Sequence, residues 1–181
     1  FGKPFSPQKQ WVDEAFKYAE QKGVLIVKGA GNDAKNLDVE KTFPDALLLD
    51  GSRVGNTITV GASTPDGKTA AFSNYGKETV DLFAPGIEIY STIPGSEYKN
   101  LQGTSMASPV VAGVAALVWS RFPKLTYLQL KEILLKSVTK VRGTTLLPGT
   151  ENPTEVPFAT LSATGGIVNA YEAIKLAETY K

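Results

Sequence analysis

Gly103-Thr104-Ser105-Met106-Ala107-Ser108-Pro109 is the segment of this sequence whose residue types and spacing could do covalent chemistry. It runs into Val110-Val111-Ala112-Gly113, an apolar stretch of small residues, and the pattern predicts that Ser105 stands at the start of a buried helix. Free backbone N–H groups and the positive end of the helix dipole meet there, and both stabilise developing negative charge, which suits a nucleophile. Gly103 removes a Cβ from the path of an approaching backbone, and Pro109 comes early enough that its missing N–H costs little. Position alone favours a plainer role, because Thr or Ser at a helix start is commonly a cap.

Asn32, in Gly29-Ala30-Gly31-Asn32, is the second candidate. It follows the apolar run Val24-Leu25-Ile26-Val27, so it stands just past the C-terminal end of an expected strand, where open α/β sheets place ligands. Its side-chain amide can donate to a carbonyl oxygen that becomes an oxyanion. Taken alone it reads better as an Asx turn leaving a strand. The sequence holds no histidine and no cysteine. A Ser-His-Asp mechanism and most zinc sites need imidazole, so this chain by itself supports neither, and thiol catalysis and disulfides are excluded.

The elements that must position these residues are legible as an alternation of helix and strand. Ser6-Pro7 predicts a capped helix start, with Val12, Ala15, Phe16 and Ala19 at helical spacing up to Gly23. Val24–Val27 predicts a strand buried on both faces, Thr57–Val60 a second, and Val80–Ala84 and Ile87–Thr92 two more. From Ser105 to about Phe122 the chain is apolar nearly all round, the pattern of a helix buried on every side. Thr126 with Gln129 makes a capping box for a following helix, whose inner face is Leu130, Ile133, Leu134 and Val138. Residues 139–166, rich in Thr, Gly and Pro, predict a long loop, and Asn169 with Glu172 opens a last helix. No linker or repeat divides the 181 residues, which predicts a single domain unit over 1–181.

A formal net charge of +1 without long runs of one sign gives no footprint for nucleic acid or an acidic lipid surface. No stretch approaches the apolar length of a membrane span. The chain starts Phe1-Gly2-Lys3 with no initiator Met and no signal-peptide pattern, so translation is expected to begin upstream.

Together with Val110-Val111-Ala112-Gly113, the segment 103–109 resembles the serine box of the subtilisin-like serine proteases almost letter for letter. The resemblance extends to Phe1-Gly2, Ala30-Gly31-Asn32, Ile58-Thr59-Val60-Gly61-Ala62, Phe72-Ser73, Val80-Asp81-Leu82-Phe83-Ala84-Pro85-Gly86 and Gly165-Gly166-Ile167-Val168-Asn169-Ala170. It implies the C-terminal part of a three-layer α/β fold with a mostly parallel sheet, and a serine endopeptidase with Ser105 as nucleophile and Asn32 in the oxyanion hole. Phe1, Gly2 and Lys3 on one side and Gly29, Ala30 and Gly31 on the other would be the two extended walls that grip a polypeptide substrate. Lys3 departs from the small residue common at its position, and Val110 stands where a non-catalytic histidine is frequent. The family orders its triad Asp, His, Ser, so both missing members would lie before Phe1, on a segment cut away or on a separate N-terminal fragment. Asp33, Asp50 and Asp81 lie outside the family's Asp motif, and the chain alone is expected to be inert. The resemblance also implies export and no required cofactor. Structural calcium is frequent in the family, but no ligand set is assignable here.

Three rival readings are weaker. A non-catalytic, peptide-binding relative has no chemical need to keep both Ser105 and Asn32. Gly29-Ala30-Gly31-Asn32-Asp33-Ala34, with Asp50 downstream, fits a loose dinucleotide-binding fingerprint, but residues 32–38 lack the periodicity of the helix that this fold requires. An α/β-hydrolase elbow needs a glycine where Ala107 stands, and a histidine after the serine.

Overall fold

A computed structural model describes residues 6–150 and 152–180. Helix α1 (Lys9–Gln21) is followed by strands β1 (Ile26–Gly29), β2 (Thr57–Ser63) and β3 (Leu82–Pro85). A hairpin of β4 (Ile89–Ile93) and β5 (Glu97–Leu101) precedes helices α2 (Thr104–Arg121) and α3 (Tyr127–Lys136). Short strands β6 (Thr139–Lys140), β7 (Thr144–Leu146), β8 (Glu155–Pro157) and β9 (Gly166–Ile167) then lead to α4 (Ala170–Ala177). The main sheet has the order β1-β2-β3-β9-β6, parallel except for the β6–β9 pair. This is the mostly parallel α/β architecture expected from the sequence.

The sheet is held where its residues are most apolar. Every residue of β2 is buried, because β2 is paired on both edges and covered on both faces. One core joins Ile58, Val60, Leu82 and Ala84 of the sheet to Val111, Val118, Leu130 and Ile133 of the helices. On the opposite face a second core collects Ala30, Leu37, Val80, Phe83, Phe158 and Leu161. Phe83 and Phe158 meet there edge to face, with ring centroids 5.0 Å apart.

Local signals held where a few neighbouring residues decide the structure. Thr126 and Gln129 make both bonds of a capping box, and Asn169 accepts from the Glu172 N–H at 3.0 Å. Five expectations are corrected. Ser6-Pro7 forms a turn ahead of α1, which starts at Lys9 with Gln8 as N-cap and no side-chain cap bond. The buried residue of α1 is Asp13, held by Lys9 Nζ at 2.7 Å and by the Leu49 N–H at 2.8 Å, whereas Ala15 is exposed. The first strand starts two residues later than expected, leaving Val24 48% exposed ahead of it, and β1 itself is only half buried because it is an edge strand. Residues 139–166 are not one loop: they contain β6, β7, β8, a 3-10 turn at Phe158–Thr160 and the start of β9.

The fifth correction concerns α2. It packs on β1, β2 and β3 through Thr104, Ala107, Val111, Ala115 and Val118, a single stripe at helical spacing. Pro109, Ala112, Gly113, Ala116 and Leu117 are exposed on the other side. Small apolar residues all round made the helix look buried on every side, yet this chain covers one face only.

Candidate active site

Gly103, with φ +144°, turns the chain from β5 into α2, a conformation that suits glycine. The first N–H groups of α2 are then divided in an informative way. The Met106 and Ala107 N–H groups donate to the Gly103 carbonyl, and the Thr104 N–H donates to Asn32 Oδ1 at 2.9 Å. Among the described residues the Ser105 N–H has no acceptor, and Ser105 itself is exposed.

Thr104, 2% exposed, locks Asn32 in place. Its hydroxyl accepts from the Gly31 N–H at 3.0 Å and donates to Asn32 Oδ1 at 3.0 Å. With two donors on its oxygen, the Asn32 amide has one sensible orientation, with Nδ2 turned away from Thr104. Nδ2 has no acceptor among the described residues. The helix start therefore presents a hydroxyl, a free backbone N–H and a free amide N–H side by side, the last two able to receive an oxyanion.

Ser105, Asn32, Gly29, Ala30 and Gly31 line one cleft of about 570 Å³, with Phe16, Thr42, Phe43 and Pro44 among its other walls. The glycines serve the chain's own packing. A Cβ at Gly29 would lie 2.9 Å from the Thr104 carbonyl oxygen, and Gly31, at φ +104°, leaves room for the Asn74 side chain. Asn74 was not singled out in the sequence, yet it organises the loop that carries Asn32. Its Oδ1 accepts from the Asp33 and Lys35 N–H groups at 3.0 and 2.9 Å, and its Nδ2 donates to the Ala30 carbonyl at 3.0 Å. Ser108 Oγ donates to the Val27 carbonyl at 3.1 Å and ties α2 to β1. Phe1, Gly2 and Lys3 lie outside the described residues.

The aspartates have structural employment. Asp81 is half-buried beside β2 and accepts from the Thr59 N–H at 2.7 Å; desolvation pushes its carboxyl up, while that bond and the charges of Lys131, Arg53 and Lys28 oppose the shift. Asp50 is on the surface, where Lys17 and Ser52 hold its carboxyl below the usual range. Asp33 lines the cleft beside Asn32. No helix opens after Gly31, which removes the dinucleotide reading. Among the described residues no three His, Cys, Asp or Glu side chains gather as a metal would need. No helix among them is long and apolar enough to cross a membrane.

Residues 2–154 match the model of the subtilase family. The chain is 37% identical over 135 residues to M-protease of Shouchella clausii (strain KSM-K16), covering 75% of this chain and 33% of that protein. It is 36% identical over 135 residues to Subtilisin BL of Lederbergia lenta, covering 75% of this chain and 46% of that one. The chain thus spans a third to a half of the length of these relatives. In three dimensions it resembles a chain of the subtilase cytotoxin SubAB assembly, with a TM-score of 0.75, 25% identity, and coverage of 98% of this chain and 56% of that one. It also resembles the Prenylagaramide maturation protease PagA, with a TM-score of 0.70, 28% identity, and coverage of 92% and 55%. Sequence, fold and the disposition of Ser105 and Asn32 lead to one assignment: the chain belongs to the subtilase family.

Proposed function

We propose that this chain is the nucleophile-bearing part of a serine endopeptidase that cleaves polypeptides through an acyl-enzyme on Ser105. One observation carries the reading: two unpaired donors, the Ser105 N–H and Asn32 Nδ2, flank an exposed hydroxyl at the start of a core-anchored helix. Ser105 Oγ attacks the scissile carbonyl carbon, its proton passes to a base, and the carbonyl oxygen takes up negative charge between the two donors. Collapse of the tetrahedral intermediate expels the amine, and water then releases the acyl group. The chemistry needs no cofactor. Gly29, Ala30 and Gly31 form one wall for the substrate's extended backbone.

The base comes from outside this sequence, which holds no histidine. The complement is an N-terminal segment or fragment carrying the Asp and His of the triad. Two surfaces of the chain fit such a complement. β1 is the outer strand of the parallel sheet, and α2 exposes Pro109, Ala112, Gly113, Ala116 and Leu117, small and apolar residues against which another helix could lie closely. Export of the whole enzyme belongs to the same reading, on the strength of its bacterial relatives.

A fluorophosphonate probe tests the reading. The chain alone should react negligibly, and the chain combined with its complement should be labelled at Ser105, with Ser105→Ala blank. A complete protein that leaves Ser105 unlabelled would make it a non-catalytic peptide-binding relative. Intact-mass analysis of the native protein should show the complement, joined or co-purifying.

A further inference from the structure

Lys28 is the one ionisable residue within β1 and stands directly before Gly29. Strand alternation sends Val27 and Gly29 toward α2, and Lys28 and Ala30 toward the opposite face, as their core contacts show. On that face Lys28 pairs in register with Thr59, whose N–H is bound by Asp81. A second cavity of about 180 Å³ opens there, and its walls include Lys28, Thr42, Asp45, Leu47, Arg53 and Thr59. Lys28 and Thr42 also line the cleft that holds Ser105, so residues 42–47 form a partition between the cleft and this polar pocket.

Two charged groups of the pocket have hydrogen-bonding capacity to spare. The Lys28 ammonium makes no hydrogen bond or ion pair among the described residues, and Asp45 Oδ1 is buried without a hydrogen bond. The Lys9 ammonium lies 3.7 Å from Asp45 Oδ1, but it already donates at 2.7 Å both to Asp13 and to the Leu47 carbonyl. A carboxylate oxygen buried without a hydrogen bond is costly, and a polar cavity of this size holds water that can join it to the Lys28 ammonium.

We propose that Lys28 is a positioning residue for the substrate cleft: its ammonium engages the Asp45 carboxylate across the small pocket through ordered water and braces the 42–47 wall. Phe43 and Pro44 of that wall face the cleft, so the brace sets how firmly a substrate side chain is packed there, leaving the chemistry at Ser105 unaffected. Burial holds the Lys28 ammonium below the ordinary lysine value, with Arg53 adding to the shift and Asp45 and Asp81 opposing it. A half-buried lysine without a direct hydrogen-bond partner among the described residues, standing at the cleft wall, fits a functional role better than a stabilising one.

The inference rests on the peptidase reading, and two measurements separate them. In the complete enzyme, Lys28→Met and Asp45→Asn should each raise KM for peptides with a large side chain before the scissile bond by about tenfold, with kcat within about twofold. The double variant should be no worse than either single one, and Lys28→Arg should recover most of the loss. Additive losses, or a fall in kcat at constant KM, would overturn the brace. The second measurement needs no catalysis: amide hydrogen exchange over residues 42–48 should quicken in Lys28→Met and in Asp45→Asn, and unchanged exchange in both refutes the proposal. If Lys28→Met does not fold, Asp45→Asn, whose side chain is 23% exposed, carries both comparisons. An enzyme inactive on every peptide would sink the peptidase reading, while the exchange result still decides the brace.

Discussion

At the scale of single residues, the site is a problem of satisfying hydrogen bonds, and the two donors left over are the ones a peptidase would use. In the reconstituted enzyme, Ser105→Ala should lower kcat by about 10⁶-fold, and Asn32→Ala by about 10²–10³-fold with little change in KM, magnitudes measured for such residues in subtilisins. Steady-state kinetics on one peptide substrate check both. Thr104→Val keeps the shape but strips the Gly31 N–H of its acceptor and Asn32 of one donor, so it should cost about 1–3 kcal/mol in denaturant unfolding and lower kcat as well. Ser105 and Asn32 stand out in the sequence because their motifs are local, and the structure brings both to one cleft. Thr104 and Asn74 were not: Thr104 reaches 73 positions back to Gly31, and Asn74 reaches 44 positions back to Ala30, partners that no local pattern reveals.

At the scale of elements, those written in short-range rules were read correctly and those decided by distant neighbours were not. The capping box at Thr126 needs only four consecutive residues; Thr126→Ala should cost about 1 kcal/mol by chemical denaturation. Leu130, fully buried in the core that joins the helices to the sheet, should cost about 2–5 kcal/mol on truncation to Ala, measured the same way. The sidedness of α2 was illegible because Ala and Gly surround it, and burial of such residues depends on what is laid against them. Strands of two or three residues between 139 and 166 are too short to show a period. The β5 strand was missed because all five of its residues are exposed, leaving no alternation of apolar and polar positions, although Tyr98 stacks on Tyr90 of β4 at 5.6 Å.

At the scale of the whole molecule, the polar row of Lys28 on β1, Thr59 on β2 and Asp81 just before β3 links stability to pH. Burial lowers the lysine's proton affinity in the folded state, with Arg53 acting in the same sense and Asp45 and Asp81 against it. The unfolded chain therefore binds more protons between the depressed value and the ordinary 10.5, and stability rises with pH through that window; below it the cost is complete. Lys28→Met should accordingly melt higher than the parent near neutrality, with the gap closing toward pH 10, as thermal melts at several pH values would show. The outer edge of β1 has a further consequence, for how the chain behaves in a test tube. Its backbone groups offer a ready template to any extended strand, including one from an identical molecule. Refolding yield should therefore drop with protein concentration, light scattering should rise, and a peptide that pairs with this edge should suppress both.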